Sequence, residues 1–478
     1  MKKPFHLLFV VLFFGACLVP GLGLLLNGPS PAAGNEAIVQ PPSLTNPDGA
    51  LNTDLLSDAA DWFSHSYGFR RELITVDSAW KAGLLHSSAQ PLVALGEDGW
   101  LFYAETLDDY TGGDSISPRQ AYCIAHSLAM AQESVKEQGS AFAFTIAPNK
   151  ASLYPQYLSG NLTPSSVPYA APVIEALAQE GVNYADLFEP LAAQEEILYF
   201  RLDSHWSNRG AALAHDILLN SLGLPAENAF SKEGHPEASH KGDLYEMLYP
   251  ASAVLDQEFV FTQPLSFEYT SPIRDVDDLS ISTASSSSNA PLLMFRDSFG
   301  NALHSLMAES FSSALFSRAM PYNLDRMGSL GAKYVVVEIV ERNLPLLAEA
   351  PFVMPAPRQD SNFPWYGEVL GQRLSPAPLR LDSEPAGQLH QHVKATGSIE
   401  APCDPDSPVY LLAETPAPHL YEAFPVFSQE GQISLAAYLP EGEDIGLLRA
   451  VYRYEGQWRL AEQAPQSSSL SGGEDREE

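Results

Sequence analysis

Cysteine is scarce in this sequence, which has three cysteines among 478 residues. Cys17 lies in an apolar leader, and Cys123 and Cys403 are 280 residues apart. This spacing gives no disulfide framework and fits no zinc motif. The sequence therefore implies neither a bound metal nor a dissociable cofactor.

Positive charge is also scarce, because 26 lysines and arginines stand against 59 aspartates and glutamates, for a net charge of −33. A surface this acidic repels nucleic acid and anionic lipid headgroups, so we expect no nucleic-acid partner. A polyanionic substrate would require a local basic groove, and the sequence contains no segment that suggests one.

One long apolar run is present, from about 5 to 26, and it follows Lys2 and Lys3. At about 1.5 Å per residue this run can cross a bilayer core of about 30 Å. The two lysines are expected to stay inside, which places the rest of the chain outside. A cleaved signal peptide is the alternative, but the nearest small-residue stretch, 31–34, lies beyond the run. We predict an uncleaved signal anchor over 1–27, and hence a single-pass protein of the cell membrane with an extracytoplasmic body.

The rest of the chain divides by composition, and its length favours one large domain plus a smaller one. Residues 28–55 are rich in Pro, Asn, Gly and Ser and are predicted to form a linker. Helical periodicity starts near 56, and we predict an α/β domain over 56–345. Prolines and short strand patterns then indicate a small β-rich domain over 346–464, followed by a disordered acidic tail over 465–478.

The α/β domain is predicted from alternating helical and strand patterns. Helices are predicted over about 118–138, 168–180 and 301–309, and strands over 141–147, 182–185, 291–295 and 333–339. This alternation predicts a mostly parallel sheet covered by helices. Strands of the β-rich domain are predicted over 389–393, 409–413, 434–438 and 447–454.

Ser298 follows the strand predicted over 291–295 and precedes a helix. The carboxyl end of a parallel strand is where α/β sheets bind ligands. The free N–H groups of the following helix can stabilise a developing oxyanion. A serine nucleophile is one interpretation, and a serine that caps the helix is the other.

Asp203 and His205 form a candidate catalytic pair elsewhere in the same predicted domain. In an extended segment, residues two apart point to the same side, so the carboxylate can orient the imidazole as a serine nucleophile requires. A solvated loop or a metal pair are the alternatives, but no third ligand at metal spacing lies nearby. His215, His240 and the remaining histidines have less informative neighbours.

Four further residues are expected to contact substrate. Asn149 and Lys150 end the strand predicted over 141–147, so they can line the same rim as Ser298, although a structural role for Lys150 is equally open. Trp206 is expected to form a wall of the site, and Arg296 belongs to the segment that carries Ser298.

These residues resemble landmarks of the AlgX/AlgJ-type SGNH-hydrolase-like proteins, and of their Gram-positive relatives called DHHW proteins. The landmarks, in chain order, are Trp62-Phe63, Phe69-Arg70, Gly99-Trp100-Leu101-Phe102, Pro148-Asn149-Lys150, Tyr154-Pro155, Asp203-Ser204-His205-Trp206, Gly242-Asp243-Leu244 and Arg296-Asp297-Ser298-Phe299. One departure is Ser204, which replaces the first histidine of the name-giving DHHW motif.

The resemblance implies a flavodoxin-like α/β/α domain with a triad of Ser298, His205 and Asp203. It also implies O-acetyl transfer or ester hydrolysis on extracellular polysaccharide, with a polytopic membrane partner that supplies acetyl groups. Three hypotheses follow: a polysaccharide O-acetyltransferase, a carbohydrate acetyl esterase, or a non-catalytic envelope scaffold.

Overall fold

The computed structural model describes residues 2–31, 39–160, 162–360, 367, 376–415, 417–428 and 432–463. The predicted acidic tail over 465–478 lies outside the described residues, as do residues 32–38 of the predicted linker.

The helices are α1 (Lys2–Asn27), α2 (Leu55–Ser66), α3 (Arg70–Trp80), α4 (Thr106–Thr111), α5 (Pro118–Glu137), α6 (Lys150–Leu153), α7 (Ala171–Gln179), α8 (Phe188–Ala192), α9 (Asn208–Ser221), α10 (Asp243–Leu248), α11 (Gly300–Ser310), α12 (Arg326–Leu330) and α13 (Leu344–Glu349). A π-helical turn (Lys81–Leu85) continues α3.

The strands are β1 (Val93–Leu95), β2 (Leu101–Tyr103), β3 (Ala141–Ala147), β4 (Tyr184–Ala185), β5 (Gly234–His240), β6 (Asp256–Phe261), β7 (Phe267–Tyr269), β8 (Ser280–Ser285), β9 (Leu292–Phe295), β10 (Ser313–Ser317), β11 (Tyr334–Val340), β12 (Arg358–Gln359), β13 (Ala377–Pro385), β14 (His392–Ile399), β15 (Val409–Ala413), β16 (His419–Val426), β17 (Ile433–Pro440), β18 (Arg449–Tyr454) and β19 (Gln457–Gln463).

Helix α1 is apolar over most of its length. Its segment Leu8–Asn27 has a mean hydropathy of 2.5, and only 6% of it is buried against the rest of the chain. By length and composition this helix could cross a membrane, although a signal sequence near an N-terminus has the same properties.

The central sheet has seven strands in the order β4-β3-β11-β9-β10-β8-β7. Strands β4, β3, β11, β9 and β10 pair in parallel, whereas β8 and β7 are added antiparallel at one edge. The short antiparallel edge pairs without a crossover helix, which is why helical alternation in the sequence could not predict it.

Helices cover both faces of this sheet, because side chains of each buried strand alternate between two cores. Leu292 and Met294 of β9 pack with α9 and α11 in one core. Leu293 and Phe295 of the same strand pack with α5, α7 and α13 in the other. The result is an α/β/α arrangement in which the carboxyl ends of β3, β9 and β11 lie at one edge.

The C-terminal strands form a barrel-like sheet. Its order is β12-β16-β15-β18-β19-β13-β14-β17, and the second half of β16 also pairs with β17, which closes the sheet on itself. The strand predicted over 389–393 is displaced, since β14 begins at His392. Gly387 and Gln391 have positive φ angles of 61° and shape the turn that precedes β14, while Leu389 is buried apart from the strand.

Residues 234–285 hold strands that the sequence did not suggest. Strand β5 reads Gly-His-Pro-Glu-Ala-Ser-His, which lacks the alternation of apolar and polar residues that marks a half-buried strand. It pairs antiparallel with β6, across a connection that contains α10, and this two-stranded β5–β6 sheet brings His240 and Glu258 toward the α/β domain's candidate site.

Close backbone packing at Gly210 gives a test of the fold. A Cβ at this position would lie 2.7 Å from the Leu198 carbonyl oxygen and 2.9 Å from Cβ of Trp206. We expect Gly210→Ala to lower the free energy of unfolding by about 1–3 kcal/mol, because the surrounding loop must shift. Gly328→Ala in α12 is the control, since nothing lies within 4 Å and alanine favours a helix by roughly 0.5–1 kcal/mol. Denaturant unfolding of both variants checks the difference, and equal stabilities would contradict it.

Candidate active site

Ser298 lies in the short turn between β9 and α11. Asp297 fixes this turn, because one of its carboxylate oxygens accepts from the Phe299 backbone N–H at 2.9 Å. The other oxygen accepts from the Val340 N–H at 2.8 Å and from Asn343 Nδ2 at 3.0 Å. Helix α11 has Phe299 at its cap position, so the Ser298 hydroxyl is not the capping group.

The structure brings the three predicted side chains together. His205 Nε2 lies 2.9 Å from the Ser298 hydroxyl oxygen, and His205 Nδ1 lies 2.6 Å from Asp203 Oδ1. The backbone between Asp203 and His205 is bent instead of extended, since the His205 N–H also donates to Asp203 Oδ1 at 2.8 Å. The predicted contact is therefore present, but a local turn produces it, not the alternation of a strand.

Charge favours an ionised Asp203 and a basic His205. Burial would raise the pKa of Asp203, but the charges and hydrogen bonds of His205 and His240 hold it well below the usual range. Burial would lower the pKa of His205, but the negative charge and hydrogen bond of Asp203 outweigh burial and raise it. An imidazole held in this way is a stronger base toward a hydroxyl.

His240, at the end of β5 in the β5–β6 sheet, is a second imidazole on the same carboxylate. Its Nε2 lies 2.8 Å from Asp203 Oδ2, and its ring stacks on Phe200 with centroids 3.8 Å apart. The Asp243 N–H donates to the same oxygen at 2.9 Å. Asp203 therefore holds one distant segment, from His240 to Asp243, next to the loop that carries His205.

Asp243 supports the loop from the other side. Its carboxylate accepts from the Ser204 N–H at 2.8 Å and from the Ser204 hydroxyl at 2.6 Å. Ser204, which replaces the histidine of the DHHW motif, thus has its own partner and leaves the contact between Asp203 and His205 intact.

A cavity of about 980 Å³ opens at this point. Its lining residues include Ser298, His205, His240, Trp206 and Arg342. The Arg342 guanidinium lies over the rings of Tyr103 and Phe299, at 5.2 and 5.5 Å from their centroids. It therefore supplies a positive charge beside the serine and histidine.

Lys150 does not line this cavity, so the structure gives no support to the expected contact with substrate. The side chain is buried, and its ammonium donates to the carbonyl oxygens of Phe200, Arg201 and Asp203 at 2.9, 3.1 and 2.6 Å. Burial lowers the pKa of Lys150 to about 7, although the nearby Asp203 charge opposes this effect. Lys150 is a positioning residue that fixes the loop leading to Asp203.

Asn149 and Arg296 are also buried and do not line the cavity, so the structure gives no support to their expected contacts with substrate either. Asn149 donates to Asp109 at 3.0 Å, and its N–H donates to Glu341 at 2.9 Å. Arg296 donates to the Asp297 carbonyl at 3.1 Å and contacts Asn301, so it supports the turn around Ser298. Trp206 does line the cavity, and its Nε1–H donates to the Phe299 carbonyl at 2.9 Å.

Asp203, His205 and Asp243 offer donor atoms within 4.8 Å of one another, which is the spacing of a metal site. Hydrogen bonds already account for these atoms. His205 Nδ1 pairs with Asp203, and the carboxylate oxygens of Asp203 and Asp243 accept from N–H and O–H groups. We therefore read the cluster as a hydrogen-bonded network.

A second serine–histidine pair lies elsewhere in the domain. His215 Nε2 is 2.8 Å from the Ser310 hydroxyl, and His215 Nδ1 is 3.2 Å from Asp216. Both His215 and Ser310 are 1% exposed, and neither lines the cavity beside Ser298. Distances alone therefore do not separate a reactive serine from a structural one, whereas access to a cavity does.

Comparison with known proteins relates part of this domain to a known family. Residues 93–274 match the family described as the SGNH hydrolase-like domain of the acetyltransferase AlgX, a range that includes Asp203 and His205 and ends before Ser298. The chain carries an SGNH hydrolase-like domain of the AlgX/AlgJ type. Membership of the DHHW subgroup stays a prediction.

Two curated relatives are similar to part of the chain. The probable alginate O-acetylase AlgJ of Pseudomonas syringae pv. tomato is 26% identical over 265 residues, which cover 52% of this chain and 61% of that protein. AlgJ of Pseudomonas aeruginosa, with the same description, is 28% identical over 184 residues, covering 36% and 45%. The matches thus span less than two thirds of either relative.

Among solved structures, PatB1 of Bacillus cereus superposes with a TM-score of 0.42 and 16% identity, covering 53% of this chain and 96% of PatB1.

Sequence reasoning missed three residues of this SGNH hydrolase-like site. His240 had no informative neighbours, because its approach to Asp203 depends on the unpredicted β5–β6 sheet. Asp243 was noted only as part of a landmark motif. Arg342 follows β11, so its place at the carboxyl edge of the sheet was the one available signal.

Asp243 gives a test by pH dependence. The negative charge of Asp243 contributes to the raised pKa of His205. Asp243→Asn removes that charge and lowers the pKa of His205, so the acidic limb of kcat/KM for an acetyl ester should move to lower pH, by up to about one unit. An unchanged limb, or a shift to higher pH, would contradict this charge coupling.

Lys150 gives a test by stability. Lys150→Met removes the donor from three carbonyl groups, and we expect a loss of about 1–3 kcal/mol in the free energy of unfolding, with reduced kcat/KM. Lys136→Met, at an exposed position of α5, should stay within about 0.5 kcal/mol of the parent protein. Full stability and full activity of Lys150→Met would show that Lys150 does not position the loop.

Proposed function

We propose that this protein is a membrane-anchored, extracytoplasmic O-acetyltransferase that acts on polysaccharide hydroxyls through Ser298, His205 and Asp203. The observation that carries the proposal is the 2.9 Å contact between His205 Nε2 and the Ser298 hydroxyl at the wall of a large cavity. Similarity to AlgJ proteins, described as probable alginate O-acetylases, supports the reaction class.

In the first half-reaction, Ser298 Oγ attacks the carbonyl carbon of an acetyl donor while His205 Nε2 takes the hydroxyl proton. Asp203 stabilises the imidazolium that forms and holds Nδ1 protonated. The tetrahedral intermediate then collapses and expels the donor's leaving group, which takes the proton from His205 and departs as an alcohol or thiol. The acetyl group is left as an ester on Ser298.

In the second half-reaction, a sugar hydroxyl gives its proton to His205 and attacks the acetyl-serine. Collapse of the intermediate returns the proton to Ser298 and releases the acetylated sugar. The cavity volume of about 980 Å³ is at the upper end of the range typical of small-molecule sites, which is consistent with a polymer segment. Arg342 supplies the positive charge that would stabilise the oxyanion in both steps.

Ester hydrolysis uses the same residues, with water in place of the sugar. The two functions differ only in the acceptor, so an acetyl donor assayed with and without oligosaccharide separates them. An O-acetyltransferase yields acetylated oligosaccharide, and an esterase yields acetate in both cases. The scaffold hypothesis would be favoured by a serine–histidine distance above about 5 Å, and 2.9 Å gives it no support.

The proposed location depends on α1, whose apolar stretch would cross the membrane with Lys2 and Lys3 inside. The catalytic domain would then face polysaccharide outside the cytoplasmic membrane. A polytopic partner that passes acetyl groups outward fits this location, and the resemblance to AlgX/AlgJ-type proteins is the ground for proposing it.

Ser298→Ala tests the catalytic assignment. We expect kcat for release of acetate from an acetyl ester to fall at least about 10³-fold, because no acetyl-serine can form. The matched control is Ser310→Ala, which removes the other histidine-bonded serine and should retain the parent rate per folded molecule. Equal activity of Ser298→Ala and the parent protein would contradict the proposal. If only Ser310→Ala lost activity, Ser310 would be the nucleophile.

A further inference from the structure

Helix α3 and the π-helical turn that follows it have an unusual polarity. Leu73, Val76, Trp80 and Leu84 are 40, 66, 56 and 66% exposed, and we call these four residues the apolar stripe. At about 100° per residue they lie on one side of the helix. An exposed apolar stripe of this length marks a contact surface.

The opposite side of the same helix faces the α/β domain with polar and small residues. Arg71 donates to the Pro250 carbonyl at 3.0 Å, and Thr75 accepts from the Ala251 N–H at 3.0 Å. Ser78, further along this side, is fully buried. The helix therefore packs on the domain with its polar side and turns its apolar side outward, the reverse of a surface helix in a soluble protein.

The turn between α2 and α3 is fixed to the outer part of α1. The Gly68 N–H donates to the Pro20 carbonyl at 3.0 Å, and the Ser30 N–H donates to the Ser66 carbonyl at 3.0 Å. A Cβ at Gly68 would overlap the backbone of Gly23, so glycine at both positions allows the two segments to touch. Small residues permit such close contacts between helices in membranes.

The position of this contact along α1 sets its depth. The 26 residues of α1 span about 39 Å, which exceeds a hydrocarbon core of about 30 Å by about 9 Å. With the N-terminal lysines inside, Pro20 and Gly23 lie near the outer boundary of the core. The start of α3 then lies at the level of the lipid headgroups.

We propose that the apolar stripe is buried in the outer lipid interface of the membrane that α1 crosses, so that α3 lies on the membrane beside its own anchor. This rests on the proposed anchoring by α1. Trp80 is typical of the interface. Between 55 and 85 the chain has three lysines and arginines and four aspartates and glutamates, so apolar burial, not attraction to anionic lipid, would hold the helix.

The contact would also orient the active site. Arg71 pairs with Glu246 at 3.6 Å, on the helix that begins with Asp243. Asp243 in turn bonds Asp203 through its N–H. A docked α3 would therefore hold the cavity at a fixed height above the bilayer, instead of at the end of a free linker.

The test uses the full chain in phosphatidylcholine vesicles, with Cys17 and Cys403 replaced by serine and Cys123 left buried. One environment-sensitive fluorophore is attached to a single introduced cysteine in each of three variants. Val76→Cys places it on the stripe, Leu12→Cys on α1 and Glu137→Cys at an exposed remote site. Nitroxide-labelled phosphatidylcholine should quench the label at 76 at least about twofold more than the label at 137, and high salt should not change this.

Each other outcome overturns the proposal in a distinct way. If the label at 12 is quenched while those at 76 and 137 are equally open to aqueous iodide, the anchor stands and the stripe does not touch lipid. If the label at 12 is not quenched, the anchoring fails and the docking of α3 fails with it. If the protein in detergent shields the label at 76 from iodide only when the chain is dimeric, a second copy of the chain, not lipid, covers the stripe. Acetyl-ester turnover of each labelled protein shows that it is folded.

Discussion

The site depends on the carboxylate of Asp203. Its two oxygens accept from the His205 backbone N–H, the His205 ring, the His240 ring and the Asp243 N–H, at 2.6–2.9 Å. These groups come from two stretches that are distant in sequence, the loop that carries His205 and the segment from His240 to Asp243 that joins β5 to α10. Lys150 holds the same loop through the carbonyl of Asp203 itself. Removing this carboxylate would therefore release the loop, the end of β5 and the start of α10 at once, beyond any effect on the imidazole.

The domain contains two serines that are hydrogen-bonded to histidines, and only one of them lies at the cavity. Ser298 and Ser310 both lie within 3 Å of an imidazole nitrogen, and both imidazoles have an acidic neighbour. Only Ser298 lies at the carboxyl edge of the parallel strands, where the cavity opens and Arg342 adds positive charge. The sheet topology, and not the hydrogen bond alone, distinguishes the two.

Much of the α/β framework could be predicted from the sequence, because short apolar runs such as 141–147 and 291–295, set between helical patterns, favour buried strands. The pairing of Ser298 with His205 was predicted from a strand-end serine and an Asp-x-His segment in one domain, together with the resemblance to AlgX/AlgJ-type proteins. The sequence could not predict His240, because β5 is polar along its whole length and its position is set by pairing with β6. It also misplaced Asn149, Lys150 and Arg296 at the rim, since a polar residue at a strand end can as easily turn inward to satisfy buried backbone carbonyls.

The most direct test of the central claim is to trap the covalent intermediate. The purified protein is mixed with an activated acetyl ester, quenched in acid within one turnover, and digested for peptide mass spectrometry. The account predicts a single acetyl group on Ser298, which disappears when a sugar acceptor is added before the quench. Continued turnover with no acetyl group on Ser298, or with the acetyl group on another side chain, would contradict it.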